Sequence, residues 1–372
     1  MTSRLDSPDQ DMGESDNDEP IVFPPAERKV ITQPVDLSVQ TLVEQWDAKL
    51  LILPDIQRQY VWDNGKASRL IESLILNIPI PVLYFAETQD AKYEIIDGHQ
   101  RVRSIARFLA NEFPLSGVSV LREYKGERFH QLPDREQRFL KMRTLRAVII
   151  SVDSHPTMKF EIFERLNTGA ISLNAQELRN SIYRGSFNKL LRELVKHHTF
   201  RDLIGTKTPR NRMVDEELVL RFLALQTALE SYRPPLKRFL NDFMDAHRNA
   251  PDPILLGFQE LFELTVDRVA SVLGSEAFHV TDTEGHPVET TVNRALFDAQ
   301  MLTFSWATGP LTEAKRPAAR RALAALHQDE AFKDAIQRAT GDRSRVLSRL
   351  RLSVAALQGT GVQVGPPFDL AR

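Results

Sequence analysis

The sequence contains no cysteine. Disulfides, thiolate metal sites and cysteine nucleophiles are therefore excluded, and a reducing compartment is the expectation. Long apolar runs are missing too. No window approaches the roughly eighteen uninterrupted apolar residues that a membrane-spanning helix needs. The first residues are polar and acidic, with no basic stretch leading into an apolar run, so no secretory signal is expected and the expected location is cytoplasmic. With 372 residues, 42% of them hydrophobic, the chain has enough apolar surface for more than one core.

The net charge of −2 conceals an asymmetry. Residues 1–20 hold seven acids (Asp6, Asp9, Asp11, Glu14, Asp16, Asp18 and Glu19) and one base, Arg4; the remainder then has 47 Lys and Arg against 43 Asp and Glu, a surplus of +4. The acidic stretch has too little apolar surface to offset its chain entropy, so residues 1–30 are expected to form a disordered, solubilising tail. A surplus of +4 over the body is too small to argue nucleic-acid binding from charge alone.

The patterning changes near residue 155. Before it, short extended runs alternate with helices. Residues 37–47 read as a helix and 49–53 as extended. Residues 66–77 carry Ala67, Leu70, Ile71, Leu74 and Ile75 at helical spacing. Residues 81–86 and 92–96 read as strands joined by a turn at 88–91, followed by a helix over 100–111 and a strand over 146–152. After residue 155 the pattern is helical, with ten candidate helices between Thr157 and Leu357. Ser172-Leu173-Asn174 supplies a cap ahead of Glu177, and 276–288 reads as an irregular insertion or hairpin. The expected architecture is α+β: a small mixed-sheet domain over 31–155, an α-helical domain over 156–358, and a flexible, Gly/Pro-rich tail over 359–372.

Three polar motifs sit at the ends of these elements. The first is Pro54-Asp55-Ile56-Gln57-Arg58-Gln59-Tyr60-Val61-Trp62, after an extended run. The second is Ile95-Ile96-Asp97-Gly98-His99-Gln100-Arg101, where a strand ends in a glycine turn and a helix begins. The third is Ile162-Phe163-Glu164-Arg165-Leu166-Asn167-Thr168-Gly169. In the second, Gly98 permits a sharp turn, and the following helix N-terminus points amides and the positive end of its dipole outward. Such a junction is suited to an anion such as phosphate. Arg101 adds a planar fork for phosphate oxygens. Gln100 can orient a water or a base edge, and Asp97 can hold hydrated Mg²⁺ or take a proton from an attacking water. On its own, Asp-Gly-x-x-Arg reads first as Asp97 capping the helix and Arg101 pairing with it at the surface.

Taken in order, with the intervening Leu70–Pro81 segment and its Ile78-Pro79-Ile80-Pro81, the three motifs resemble the DUF262 family. That family supplies the N-terminal domain of GmrSD-type modification-dependent restriction systems and of phosphorothioate-sensing defence proteins. The resemblance runs from about Leu37 to Phe200 and includes Leu173 and Glu177-Leu178-Arg179-Asn180. It implies a ParB/sulfiredoxin-like core, nucleotide binding and, in characterised relatives, nucleoside triphosphate hydrolysis at an Asp-Gly-Gln-Gln-Arg loop. Position by position that loop is Asp97, Gly98, His99, Gln100 and Arg101. His99 departs from the family's Gln, which leaves hydrolysis open; its imidazole can donate a hydrogen bond and, near neutral pH, carry charge. Gln57, Arg58, Arg165 and Asn167 are expected to line the same pocket.

Relatives also carry a His-Asn-His nuclease domain. The only candidates here are His279, His286, Asn293 and His327, and their spacing does not fit a metal-binding hairpin and helix, so a separate nuclease subunit is the expected partner. Three functions follow. The first is a Mg²⁺-dependent nucleotide-binding or nucleotide-hydrolysing component of a DNA restriction or anti-phage system. The alternative is a non-catalytic DNA-binding or modified-DNA-sensing module. The weaker alternative is direct nuclease action, for which a single acid in the key loop is poor equipment. Lys207–Arg212 forms a basic loop, and Arg343, Arg345, Arg349 and Arg351 suggest a phosphate-facing stripe on the last helix.

Overall fold

Alternation along the strands decides what the sheet covers. In the computed structural model, which describes residues 24–53, 60–166, 173–282, 286–288, 291–309, 311–367 and 369–370, five strands form one mixed sheet. They are β1 (Thr32–Ser38), β2 (Leu51–Ile52), β3 (Leu83–Glu87), β4 (Tyr93–Asp97) and β5 (Thr144–Ile150), in the order β1-β5-β3-β4-β2. β3 runs parallel to β5 and antiparallel to β4, while β1 is antiparallel to β5 and β2 parallel to β4. Leu83, Phe85, Ile95, Leu145 and Ala147 occupy one face and join a core with α1 (Val39–Asp47), α2 (Asn64–Ile75), α3 (His99–Leu109) and α4 (Asp134–Met142). That is the period-2 pattern of a strand meeting the 3.6 pattern of amphipathic helices.

The chain divides into two compact units, 23–182 and 183–372. The first therefore extends past the expected boundary near 155. It takes in α5 (Pro156–Leu166) and α6 (Ala175–Ile182), because α5 packs on β4 and α6 and Ser181 donates to buried Glu94 of β4 at 2.6 Å. Asn174 and Glu177 form a reciprocal capping box at the start of α6, at 2.8 and 2.7 Å, as the sequence suggested. Two elements of this unit escape the sequence pattern. β1 is an exposed edge strand with Pro34 in it, and α4 buries only Leu140. Neither shows a strong apolar repeat.

Glu72 braces the unit. Its buried carboxylate accepts from the amides of Ser119, Val120 and Leu121 at 2.7 to 3.2 Å, clamping the 115–121 loop to α2. Burial, the largest single influence, pushes its pKa up, but the amides of Leu121, Val120 and Ser119 together hold it below the usual carboxylate value.

The second unit comprises α7 (Ser186–Leu194), α8 (His198–Leu203), α9 (Val214–Ala228), α10 (Leu236–Ala246), α11 (Asp252–Leu273), α12 (Arg294–Ser305), α13 (Arg316–Ala325), α14 (Glu330–Gln337) and α15 (Arg343–Gln358). α12 packs against α9, α11, α14 and α15, and every residue from Ala295 to Phe304 is buried. One of them is Asp298, so its charge needs internal partners. Arg221 of α9 supplies two contacts, at 3.2 and 2.7 Å, and Arg349 of α15 a third at 2.9 Å. Gly185 must be glycine, since a Cβ there would lie 1.9 Å from the Arg248 carbonyl oxygen. The segment after Gly359, expected to be flexible, packs back: Val364 bridges Ala307, and Val362, Val364 and Leu370 are buried. Their apolar side chains outweigh the glycine and proline content around them.

Glu72→Gln keeps the shape but loses the charge-assisted bonds. It is expected to cost about 1–3 kcal/mol in urea unfolding. Because the folded carboxyl has the lower pKa, the stability it confers is present above the unfolded value, near pH 4.3, and is lost as pH falls through the folded one. The gap between wild type and variant should therefore narrow under acid. Asp298→Leu, which strands two buried guanidinium groups, is expected to cost about 3–5 kcal/mol, read as a fall in the thermal unfolding midpoint.

Candidate functional site

The junction between β4 and α3 is built by one glycine and one arginine. Gly98 ends β4 in the left-handed region, with φ 100° and ψ 6°, and serves as N-cap of α3 without a side-chain cap bond. A Cβ there would lie 2.3 Å from Leu83 Cδ2, so backbone conformation and packing both require glycine. A register shift between Tyr84 and Phe85 brings Asp97 opposite Tyr84 just before the turn. The first turn of α3 thus begins directly at the carboxyl end of a strand.

Arg101, on that first turn, points back under the junction. Its Nη2 donates to Asp97 Oδ2 at 2.6 Å and to the Val82 carbonyl at 3.3 Å, and its Nη1 donates to the Pro81 carbonyl. The Asp97 side chain stays about half exposed while Arg101 is almost covered. The ion pair is therefore internal. Arg101 braces the turn, and Asp97 presents its carboxylate at the surface. The expected pair forms, but with Arg101 covered rather than at the surface, and Gly98 instead of Asp97 holds the cap position.

His99 is buried, with Nε2 lacking a partner. Burial, with a smaller contribution from the Arg103 charge, pushes its pKa down to about 4. The imidazole is thus neutral near pH 7, contrary to the charge that its type suggests. Gln100 turns the other way, its Oε1 accepting from the amides of Val61 and Trp62 at 3.1 and 3.3 Å. Ser104 donates to the Gln100 carbonyl at 2.7 Å, so at 2.9 Å it accepts from the Tyr60 hydroxyl. Arg107 and Arg103 lie 4.6 and 5.3 Å from the centre of the Tyr60 ring. Gln100, Arg103, Ser104 and Arg107 thus form a polar stripe on α3 that secures Tyr60–Trp62. Sequence reasoning missed Tyr60, Arg103 and Arg107; the i, i+3, i+4, i+7 spacing of that stripe was the available signal.

Arg165 ends α5 with its guanidinium largely exposed, 3.6 Å from Glu161. Gln57, Arg58 and Asn167, expected beside the loop, lie outside the described residues. Of the residues weighed for a nuclease site, His286 is exposed, and the others take structural roles. His327 Nδ1 accepts from the Thr281 amide at 3.0 Å, His279 Nδ1 bonds the Ala277 carbonyl at 2.7 Å, and Asn293 caps α12. Among the described residues no group of three or more His, Asp or Glu could hold a metal ion. No helix of the described residues is long and apolar enough to cross a membrane.

The basic loop is pinned rather than open: the Arg210 amide donates to Asp215 Oδ2 at 2.7 Å, and its Nε lies 3.3 Å from Oδ1. The arginine stripe on α15 splits as well. Arg349 is fully buried, Arg345 pairs with Asp334, and Arg343 donates to the carbonyls of Leu229 and Tyr232.

No curated protein matches the chain. Residues 39–184 match the family model described as the GmrSD restriction endonuclease, N-terminal domain, a span that ends within two residues of the division between the compact units. Strands β2 to β5, the Gly98 junction and the capping box before α6 all fall inside it, while β1 precedes it. Over residues 39–184 the chain is therefore similar to the N-terminal domain of GmrSD-type restriction endonucleases.

Proposed function

We propose that the first unit binds the phosphates of a nucleoside triphosphate at the β4–α3 junction, as a component of a DNA restriction or anti-phage defence system. The defence role follows from the family match. The binding site rests on one observation: Gly98 sets an α-helix N-terminus, without a side-chain cap, at the end of a strand. Orphan amides and the helix dipole favour an anion there.

In this reading the amides of the first turn receive phosphate oxygens. Arg101 keeps the turn in shape and adds positive charge from below. His99 acts as a neutral hydrogen-bonding group, and Gln100 acts through the segment it holds. Asp97 is the one carboxylate available for Mg²⁺. One carboxylate, completed by water and the nucleotide's own phosphates, suits the reluctance of this ion to shed its hydration shell. Mg²⁺ would arrive with the nucleotide and neutralise phosphate charge. Cleavage of DNA is assigned to a separate nuclease subunit, since His279 and His327 are held in structural hydrogen bonds far from a metal-binding hairpin pattern.

The test is titration calorimetry with ATP, GTP, CTP and UTP in the presence of Mg²⁺. At least one should bind. Gly98→Ala should weaken it by at least tenfold, about 1.4 kcal/mol, whereas Asp97→Asn should weaken it only when Mg²⁺ is present. If the wild type binds none of the four, the proposal fails, and DNA sensing without nucleotide becomes the better account.

A second prediction concerns pH. The His99 pKa is depressed in the folded state. Its contribution to stability is therefore complete above the unfolded value, about pH 6.5, and is lost as pH falls through about 4. His99→Gln should flatten the stability profile of this unit across that window. Equal slopes for variant and wild type would show that His99 is not buried neutral.

A further inference from the structure

Helix α11 has a second apolar side. Its inward residues, Phe258, Phe262, Thr265, Val266 and Val269 among them, are buried in the second unit. Ile254, Gly257, Leu261 and Leu264 recur beside these at alternating spacings of three and four residues, the a and d positions of a heptad. That spacing keeps all four on one side of the helix over about three turns. Yet Ile254 is 45% and Leu264 51% exposed, as is Leu256 close by at 57%. Gly257 is exposed too, and Leu261 is half-buried. Among the described residues of the second unit, only one other large apolar side chain, Val288, is exposed.

Two observations bear on what covers this side. The first is Gly257, which lies inside a 22-residue helix. Glycine there costs stability relative to alanine, and an added Cβ would have no atom within 4 Å. Packing within this chain therefore does not call for glycine at that position. A second helix crossing over it does, because the missing side chain lets two backbones approach closely. The second observation is charge. Nine positions of α11 are exposed; Asp252, Glu260 and Asp267 are among them, and no lysine or arginine is. Glu260 and Asp267 fall at g, directly beside the seam, where charges select the partner. The one base of the helix, Arg268, turns to α12 and donates to the Phe304 carbonyl at 3.2 Å. A second copy of this chain would bring the same acids against them, which like-charge repulsion disfavours.

We infer that this side of α11 is a docking surface for an amphipathic helix of another protein, one that carries lysines or arginines beside its apolar seam. The partner's apolar residues pack among Ile254, Leu261 and Leu264, its backbone crosses at Gly257, and its bases meet Glu260 and Asp267. The surface lies outside the family-matched segment and does not depend on the nucleotide reading.

The test uses the full chain and two fluorescein-labelled amphipathic peptides in a polarisation assay, at a concentration where the peptides are monomeric. Both peptides carry leucine at a and d; one has lysine at e and g, the other glutamate. The lysine peptide should bind about tenfold or more tightly than the glutamate peptide. Gly257→Gln keeps the helix, since glutamine is the better helix former. It should weaken binding of the lysine peptide by about tenfold or more, with the thermal unfolding midpoint unchanged or raised. Glu260→Lys/Asp267→Lys should invert the preference between the two peptides. The inference is overturned if neither peptide binds, if Gly257→Gln binds like the wild type, or if the charge-inverted variant keeps the wild-type preference. Sedimentation supplies one more outcome: a wild-type dimer that Leu264→Asp converts to a monomer would assign this surface to a second copy, and would overturn the inference as well.

Discussion

Arg101 ties together the end of β4, the approach to β3 and the first turn of α3 through Asp97 and the carbonyls of Pro81 and Val82. Since β3 and β4 are antiparallel neighbours, one guanidinium locks the mouth of the hairpin to the helix that leaves it. Lysine could not do this, because the contacts diverge as the planar fork diverges. Gly98 completes the constraint, as no larger residue fits against Leu83. The Asp97 side chain stays about half exposed at this junction while Arg101 is turned inward. The residue that looks most like a phosphate ligand in the sequence is the one that braces the turn.

The same trade between charge and burial organises the helical unit. A central helix covered on all sides cannot hold a lone carboxylate, and Asp298 is tolerated because α9 and α15 each deliver a guanidinium to it. That buried set links three helices and accounts for one of the arginines on α15.

Much of this was legible in the sequence because it depends on local rules. Helices α2 and α3 follow from apolar spacing. The strand–glycine–helix junction follows from Asp97-Gly98-His99, and the start of α6 from Asn174 and Glu177. β1 was not legible: it is an edge strand containing Pro34, and only Val35 and Leu37, half-buried against the core, mark its inner face. Nor were the directions of the polar side chains. Whether Gln100 meets a ligand or the Val61 amide, and whether His99 is charged or buried neutral, depends on contacts far apart in the chain. The arginines of α15 are uniform in the sequence and have four different fates in the fold. The sequence therefore marked the junction, and tertiary contacts set the directions of its side chains.

The central claim is that the Gly98 junction is where this domain meets phosphate. Hydrogen–deuterium exchange of the full chain, with and without saturating Mg²⁺ and a nucleoside triphosphate, tests it most directly. The account predicts slowed exchange concentrated in the end of β4 and the first turn of α3, around His99 to Arg101. Protection confined to other elements, or none under any of the four nucleotides, would contradict it.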